Sequence, residues 1–222
     1  MTLIEKQLVG EKAADYVKDG MVVGLGTGST VYYTLQALGK RIQEGLAIKG
    51  IPTSRQTEEL ARQLRIPLVS FADISHIDLA IDGADEIDRN RALIKGGGGA
   101  LLREKIIANA SNELIVIADS KKMVHTLGVF PLPIEVVRFG WEMTAKHIRD
   151  LGCVPRLRLK EDHTPFITDN SNYIIDAHFH AIEDPHILEQ MLNSIPGVVE
   201  NGLFVGMTDK MITVKRGKIQ VL

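Results

Sequence analysis

Three short stretches of this chain carry residue types that can handle a small anionic substrate. In "VVGLGTGST" (22–30) an apolar run breaks into glycines that alternate with small or hydroxylated residues. Such glycines let a loop turn tightly and bring backbone N–H groups against an anion. Gly28 sits among Thr27, Ser29 and Thr30, whose hydroxyls add donors. A helix N-terminus just beyond adds a favourable dipole, typically ~0.3–1 kcal/mol per charge. A strand-to-helix turn that binds nothing would use the same glycines, so spacing alone leaves both readings open. Two familiar phosphate loops do not fit. Ser29 occupies the third glycine position of G-x-G-x-x-G counted from Gly24, and no glycine-lysine-hydroxyl triplet follows. The stretch "IPTS" (51–54) offers no acid for a ribose hydroxyl. The loop therefore favours a compact phosphate ester over a dinucleotide or a nucleoside triphosphate.

The second stretch, "LAIDGADEID" (79–88), sets Asp82 and Asp85 around Gly83 and Ala84, with Asp78, Glu86 and Asp88 nearby. In an open parallel sheet, ligands bind at the carboxyl ends of strands. The structural alternative is an acidic turn leading into a capped helix. A divalent metal is disfavoured, because no other oxygen-ligand motif accompanies the acids. The third stretch is "LIKGGGGALLREKIIANA" (93–110). Ordering four consecutive glycines costs much backbone entropy, so the run suits a backbone lying against a ligand. Lys95 precedes it and can stabilise a developing oxyanion. The helix that follows is apolar on all sides, the pattern of a buried helix, with Glu104 among its apolar residues. A carboxylate near apolar surface is the kind whose proton affinity rises toward neutrality, as a general base requires. A salt bridge from Glu104 to Arg103, Lys105 or a distant lysine is the alternative.

These stretches need a scaffold, and the apolar periodicity supplies one. Val9, Ala13 and Val17 recur at helical spacing, and Gly20 can end that helix. "MVVGLG", "AIKGIPTS", "PLVSF", "IDLAID" and "ELIVIAD" read as strands, and "VYYTLQALGKRI" and "RQTEELARQL" as helices. Ser29 and Thr30 can cap the helix after the glycine loop. Such alternation implies a parallel sheet covered on both faces. Past Pro131 and Pro133 the order changes to strand (134–137), helix (141–151), strand (155–159), strand (173–178), helix (185–195) and strand (198–203). That is the β-α-β-β-α-β order of a ferredoxin-like unit. The tail "MITVKRGKIQVL" reads as a hairpin turning at Gly217 and returning to the first sheet. The fold class is α/β: a Rossmann-like parallel-sheet domain (1–128 plus 204–222) with a smaller ferredoxin-like α+β domain (129–203) inserted near the C-terminus.

Composition sets outer bounds. The 222 residues are 45% hydrophobic and 24% charged, which suits a globular chain with a real core. A net charge of −2 gives no basic surplus for nucleic acid, and no apolar run reaches the ~18 residues of a membrane span. Cys153 is the single cysteine, which fits a reducing compartment such as the cytoplasm. The N-terminal residues lack a signal-peptide pattern. Asp176, His178 and His180 in "DAHFH" alternate at a spacing that could bind zinc, but a polar outer strand face reads better because a fourth ligand is missing. Met143, Met191 and Met207 read as core fillers, and Trp141 as packing at a helix start.

Taken together and in order, "GLGTGST", "DGADEID", "KGGGGALLREKI" and "IADSKKMV" resemble the type A ribose-5-phosphate isomerase family. The likeness continues through "LGVFPLPIEV", "TDNSNYIID" and "IPGVVENGLF", over nearly the whole chain. The resemblance implies an isomerase interconverting D-ribose 5-phosphate and D-ribulose 5-phosphate in the non-oxidative pentose phosphate pathway. It implies a homodimer or homotetramer, a sugar phosphate as the small-molecule partner, and no metal or organic cofactor. By similarity, Thr27 to Thr30, Asp82 to Asp85 and Lys95 to Gly98, with Gly96 and Gly97, form the substrate site. Glu104 matches the proton acceptor, Lys6 a phosphate contact, and Lys122 a substrate-binding lysine, with Lys121 beside it as the alternative. Lys95, Asp82 and Asp85 join Glu104 as catalytic groups. Ser171 departs from the glycine common in the family. Two rivals remain for comparison: a sugar-phosphate sensor, for which no DNA-binding segment is spare, and a deaminase or lactonase on the same fold, which needs a catalytic histidine or a different base.

Overall fold

The computed structural model describes residues 2–215 and 217–222. In chain order its elements are α1 (Leu3–Ala14), β1 (Val22–Leu25), α2 (Val31–Gln43), β2 (Lys49–Pro52), α3 (Arg55–Gln63), β3 (Leu79–Gly83), β4 (Glu86–Ile87), β5 (Leu93–Ile94), α4 (Leu101–Asn109), β6 (Leu114–Ile117), β7 (Leu132–Val136), α5 (Trp141–Arg149), β8 (Val154–Leu157), β9 (Tyr173–His178), α6 (Pro185–Asn193), β10 (Val198–Asn201), β11 (Leu203–Phe204), β12 (Lys210–Lys215) and β13 (Lys218–Val221). They divide into two compact units. The first comprises Met1–Ala84, Arg103–Lys122 and Met207–Leu222, and the second Asp85–Leu102 and Met123–Gly206.

The first unit is built on a six-stranded sheet of order β13-β12-β6-β3-β1-β2. All pairings except the β12–β13 hairpin are parallel, and the strands carry side chains buried on both faces, as in β6 where all four residues are buried. Val9 and Ala13 of α1 and Val31, Leu35 and Leu38 of α2 pack into this core. Gly10 lets α1 approach the start of α2 at backbone distance, since a Cβ there would lie 2.7 Å from the Tyr33 Cβ and 2.9 Å from the Thr34 nitrogen. That crossing brings Lys6 of α1 to the glycine loop. The C-terminal hairpin returns to the first sheet as expected.

The second unit holds an antiparallel sheet of order β10-β7-β9-β8 with α5 and α6, the expected split β-α-β unit. Beside it lies a three-stranded antiparallel sheet, β11-β5-β4. Its two-residue strands are too short to show a period, so the sequence pattern does not reveal them. They explain why the compact unit extends beyond 129–203. Residues 85–102 and 203–204 pair through β4, β5 and β11, and Ala92, Ile94 and Leu203 join the core of the second unit.

Four local expectations are corrected. "PLVSF" is not a strand: Leu68 makes one bridge to Gly50, and Ser70 and Asp73 then cap a 3-10 turn at Phe71–Asp73. The run 198–203 is split, because the Asn201 side-chain oxygen accepts the Leu203 N–H (3.0 Å) and bends the chain between β10 and β11. Helix α4 is not buried all round, since Ile106 is 47% exposed, while Lys105 is buried. Met143 and Met191 lie exposed rather than filling the core. Trp141 does pack at a helix start, edge-on to Tyr173 with ring centroids 6.5 Å apart.

Candidate active site

In the first unit, the glycine loop is tied from below. Asp82 stands one residue before the end of β3 and is 3% exposed. Its Oδ1 accepts the N–H of Thr27 (3.0 Å) and of Gly83 (2.8 Å). The Gly26 N–H donates to the Ile81 carbonyl (3.0 Å), and a Cβ on Gly26 would lie 2.3 Å from Asp82 Oδ1. Only glycine permits this contact, which locks the loop to the carboxyl end of β3.

The Thr27 hydroxyl turns inward rather than toward the loop's outer rim. Its Oγ1 lies 2.7 Å from Thr53 Oγ1, 2.8 Å from Ser54 Oγ and 3.0 Å from Thr57 Oγ1. Its one proton goes to Ser54 Oγ, and the other two contacts set its lone pairs against neighbouring hydroxyls, so the group is held inside the cluster. Thr57 also donates to the Gly26 carbonyl (2.9 Å), and Thr53 to that of Leu25 (3.1 Å). Thr53, Ser54 and Thr57 are buried. Ser54 is also the N-cap of α3, accepting the Thr57 N–H. The sequence carries a signal for this hydroxyl cluster under the loop in the bunching of Thr53, Ser54 and Thr57 at a helix start, which a search of "IPTS" for an acid passes over.

The outer rim is left to Gly28, Ser29 and Thr30. Thr30 is the N-cap of α2, and its side chain makes no capping hydrogen bond. The Tyr32 N–H donates to the Gly28 carbonyl (3.0 Å) and the Tyr33 N–H to the Thr30 carbonyl (3.1 Å), so the chain itself satisfies part of the first turn of α2. Lys6 Nζ donates to Ser29 Oγ (2.8 Å). Lys6, Gly28 and Ser29 line a hollow of about 470 Å³ together with Leu3, Tyr32 and Leu60. A lysine and a hydroxyl lining open space have the donors to hold a phosphate dianion. Lys122 Nζ donates to the Ala84 carbonyl, which places Lys122 against the "DGAD" segment. Glu104 stands in the first turn of α4 and is 6% exposed.

In the second unit, the Asp85 N–H donates to the Ile94 carbonyl (2.8 Å), and Asp85 Oδ2 accepts the Gly97 N–H (2.7 Å). Lys95 follows β5 and is 2% exposed. Its N–H donates to the Gly202 carbonyl (2.9 Å), and its Nζ lies 5.4 Å from the centroid of the Phe204 ring, a cation–π distance. The other acids of the cluster are structural. Glu86 accepts the N–H groups of Gly128 (2.7 Å) and Phe130 (2.6 Å). Asp88 accepts those of Asn90 (2.8 Å) and Ala92 (2.9 Å). Asp78, in the first unit, accepts that of Val22 (2.7 Å). Asp176 pairs with Arg158, and among the described residues no three His, Cys, Asp or Glu side chains converge as a metal site.

A family model described as ribose 5-phosphate isomerase A (phosphoriboisomerase A) matches residues 49–218. A ribose-5-phosphate isomerase A from Bacillus mycoides (strain KBAB4) is 59% identical over 208 residues, 93% of this chain and 94% of its own length. The structure of ribose 5-phosphate isomerase A from Methanocaldococcus jannaschii superposes with a TM-score of 0.94 at 42% identity, covering 98% of this chain and 97% of that one. A D-ribose-5-phosphate isomerase in complex with phospho-erythronic acid superposes with a TM-score of 0.95 at 41% identity, covering 98% and 96%. The glycine loop, the "DGAD" segment, the glycine run and Glu104 are thus held in a scaffold shared along nearly its whole length, and this chain belongs to the ribose 5-phosphate isomerase A family.

Proposed function

We propose that the chain interconverts D-ribose 5-phosphate and D-ribulose 5-phosphate through an enediolate, in the non-oxidative pentose phosphate pathway. The observation that carries the reading is the buried carboxylate of Glu104, set on the first turn of the helix that directly follows the glycine run. Glu104 moves the carbon-bound proton between C2 and C1. Lys95 and the backbone of Gly96 to Gly98 stabilise the enediolate oxygens. Asp82, with Asp85, assists ring opening and hydroxyl proton transfer. Lys6, Ser29, Thr30 and the N–H groups around Gly28 hold the phosphate, Lys122 steadies the "DGAD" segment, and Thr27 shapes the loop from beneath. Along the sequence, two residues separate Asp82 from Asp85, and five separate Gly98 from Glu104.

A positioned base gives typically ~10²–10⁴-fold. One oxyanion donor gives ~10²–10³-fold. Neither reaches the ~10⁶-fold or more of an enzyme, so base and electrophiles act together on a sugar fixed by its phosphate. The test is an isomerisation assay on ribose 5-phosphate with a chelator present, for the natural chain and Glu104→Gln. A loss of ~10²-fold or more in kcat is expected. Near-natural turnover of Glu104→Gln would remove Glu104 as the base. Phospho-erythronic acid, whose carboxylate imitates a planar enediolate, should bind this chain more tightly than substrate does. A cytoplasmic homo-oligomer, dimer or tetramer, completes the proposal. The single cysteine suits a reducing compartment, and the 94% exposed Phe139 suits a face covered by a second copy.

A further inference from the structure

We propose that Arg158, aimed by Asp176, is a positioning residue for the 95–98 loop, fixing the direction in which the Gly98 N–H is presented. Arg158 directly follows β8, and its own N–H continues the ladder to the Ile174 carbonyl (2.8 Å). In the β8–β9 register Arg156 faces Asp176, so Arg158 and Asp176 are diagonal neighbours within reach of a long side chain. The guanidinium divides its donors. Nε (2.9 Å) and Nη2 go to the two oxygens of Asp176, the bidentate fork that orients an arginine most firmly. Nη1 goes to the Gly96 carbonyl and the Gly97 carbonyl, both at 3.0 Å. The Phe166 ring lies against the same guanidinium, with its centroid 5.9 Å away. Arg158 and Asp176 are mostly buried, their side chains 14% and 19% exposed.

The consequence follows from peptide geometry. In a trans, planar peptide the C=O and the next N–H point in opposite directions. Drawing the Gly96 carbonyl toward Arg158 sends the Gly97 N–H the other way, where Asp85 Oδ2 accepts it at 2.7 Å. Drawing the Gly97 carbonyl toward Arg158 likewise sends the Gly98 N–H away from the guanidinium. A run of glycines has no side chains to choose these orientations for itself. A donor acts on developing charge only if it is already aimed when the charge forms. Arg158 supplies that aim from a sheet of the smaller fold, which gives that sheet a part in the chemistry.

The inference rests on the reading that Lys95 and the Gly96 to Gly98 backbone stabilise the enediolate, and Lys95→Ala tests that reading separately. The experiment combines amide hydrogen exchange over residues 95–102 with kinetics on ribose 5-phosphate, for Arg158→Ala, Arg158→Lys and Asp176→Asn. We expect faster exchange at the glycines and a kcat lower by ~10–100-fold, the cost of a misaimed group, with KM nearly unchanged. Added guanidinium ion at non-denaturing concentration should restore part of kcat to Arg158→Ala, whereas methylammonium should not. Arg158→Lys should behave like Arg158→Ala, because one ammonium cannot span two carbonyls and a carboxylate, and it serves as the readout if Arg158→Ala does not fold. Unchanged exchange in Arg158→Lys overturns the clamp. Natural kcat in that variant, alongside a disabled Lys95→Ala, overturns its catalytic relevance. Full turnover in Lys95→Ala would instead sink the enediolate assignment, leaving exchange to judge the clamp alone.

Discussion

Replacing Thr27 by valine removes one hydroxyl and keeps the shape of the side chain, so it isolates the cluster beneath the glycine loop. Three contacts are lost, at 2.7, 2.8 and 3.0 Å. At ~0.5–1.5 kcal/mol for each hydrogen bond the ceiling is ~4.5 kcal/mol. The loss should fall below that ceiling, because each former partner keeps another. Thr53 retains the Leu25 carbonyl, Thr57 the Gly26 carbonyl, and Ser54 the Thr57 hydroxyl and N–H. We therefore expect ~2 kcal/mol of destabilisation. For a chain of this length that is a fall in Tm of ~4–8 °C.

Calorimetry of the natural chain, Thr27→Val and Ser29→Ala measures the effect. Ser29 lies on the outer rim with Lys6, so Ser29→Ala should stay within ~0.5 kcal/mol in stability while raising KM for ribose 5-phosphate. The two variants should thus separate, one losing Tm and the other KM. A Thr27→Val protein with natural Tm and a raised KM would show that its hydroxyl binds phosphate directly. The assignment of Thr27 to the scaffold would then be wrong.

Three further outcomes follow from the structure. Ser171 holds a left-handed backbone at φ 66°, so Ser171→Gly should raise Tm by ~1–3 °C in the same calorimetry, and a lower Tm would contradict a strained turn. Burial pushes the Cys153 thiol from 9.0 up to about 11. This neutral thiol's contribution to stability is complete below 9.0 and is lost as pH climbs toward about 11. Alkylation at pH 8 should accordingly be far slower in the folded chain than in urea, and equal rates would refute the burial. Glu135 is fully buried and its Oε1 accepts from Thr168 Oγ1 (2.9 Å), Asn170 Nδ2 (3.2 Å) and Asn172 Nδ2 (2.9 Å). Glu135→Ala should lower the unfolding free energy by ~3 kcal/mol or more in urea titration, and an unmoved midpoint would show these bonds to be dispensable.

What the sequence makes legible here is what is local along the chain. The strand-helix alternation, the split β-α-β unit and the returning hairpin all rest on periods of a few residues, and each is found in the fold. The strands β4, β5 and β11 have two residues each, too few for a period to register, and "PLVSF" lost its strand to a local Ser70–Asp73 cap. The candidate site divides in the same way. Apart from Lys6, the groups assigned to touch the sugar phosphate sit in compact motifs: "TGST", "DGAD", "KGGG" and the first turn of α4. Groups that aim them do not. Thr27 meets Thr53, Ser54 and Thr57 across 26, 27 and 30 residues of chain, and Arg158 meets Gly97 and Gly96 across 61 and 62. No spacing rule links residues so far apart, because their proximity is created by β1–β2 pairing in one case and by tertiary packing of the glycine run against Arg158, Phe166 and Ile174 in the other. Ser171 lies between these extremes. Its departure from glycine is visible in the sequence, yet only the φ of 66° shows that the turn asks for glycine. Substitutions at aiming residues should therefore disturb rate or stability while every recognisable motif stays intact, and Arg158→Lys is the sharpest instance, since it conserves charge and removes only the fork.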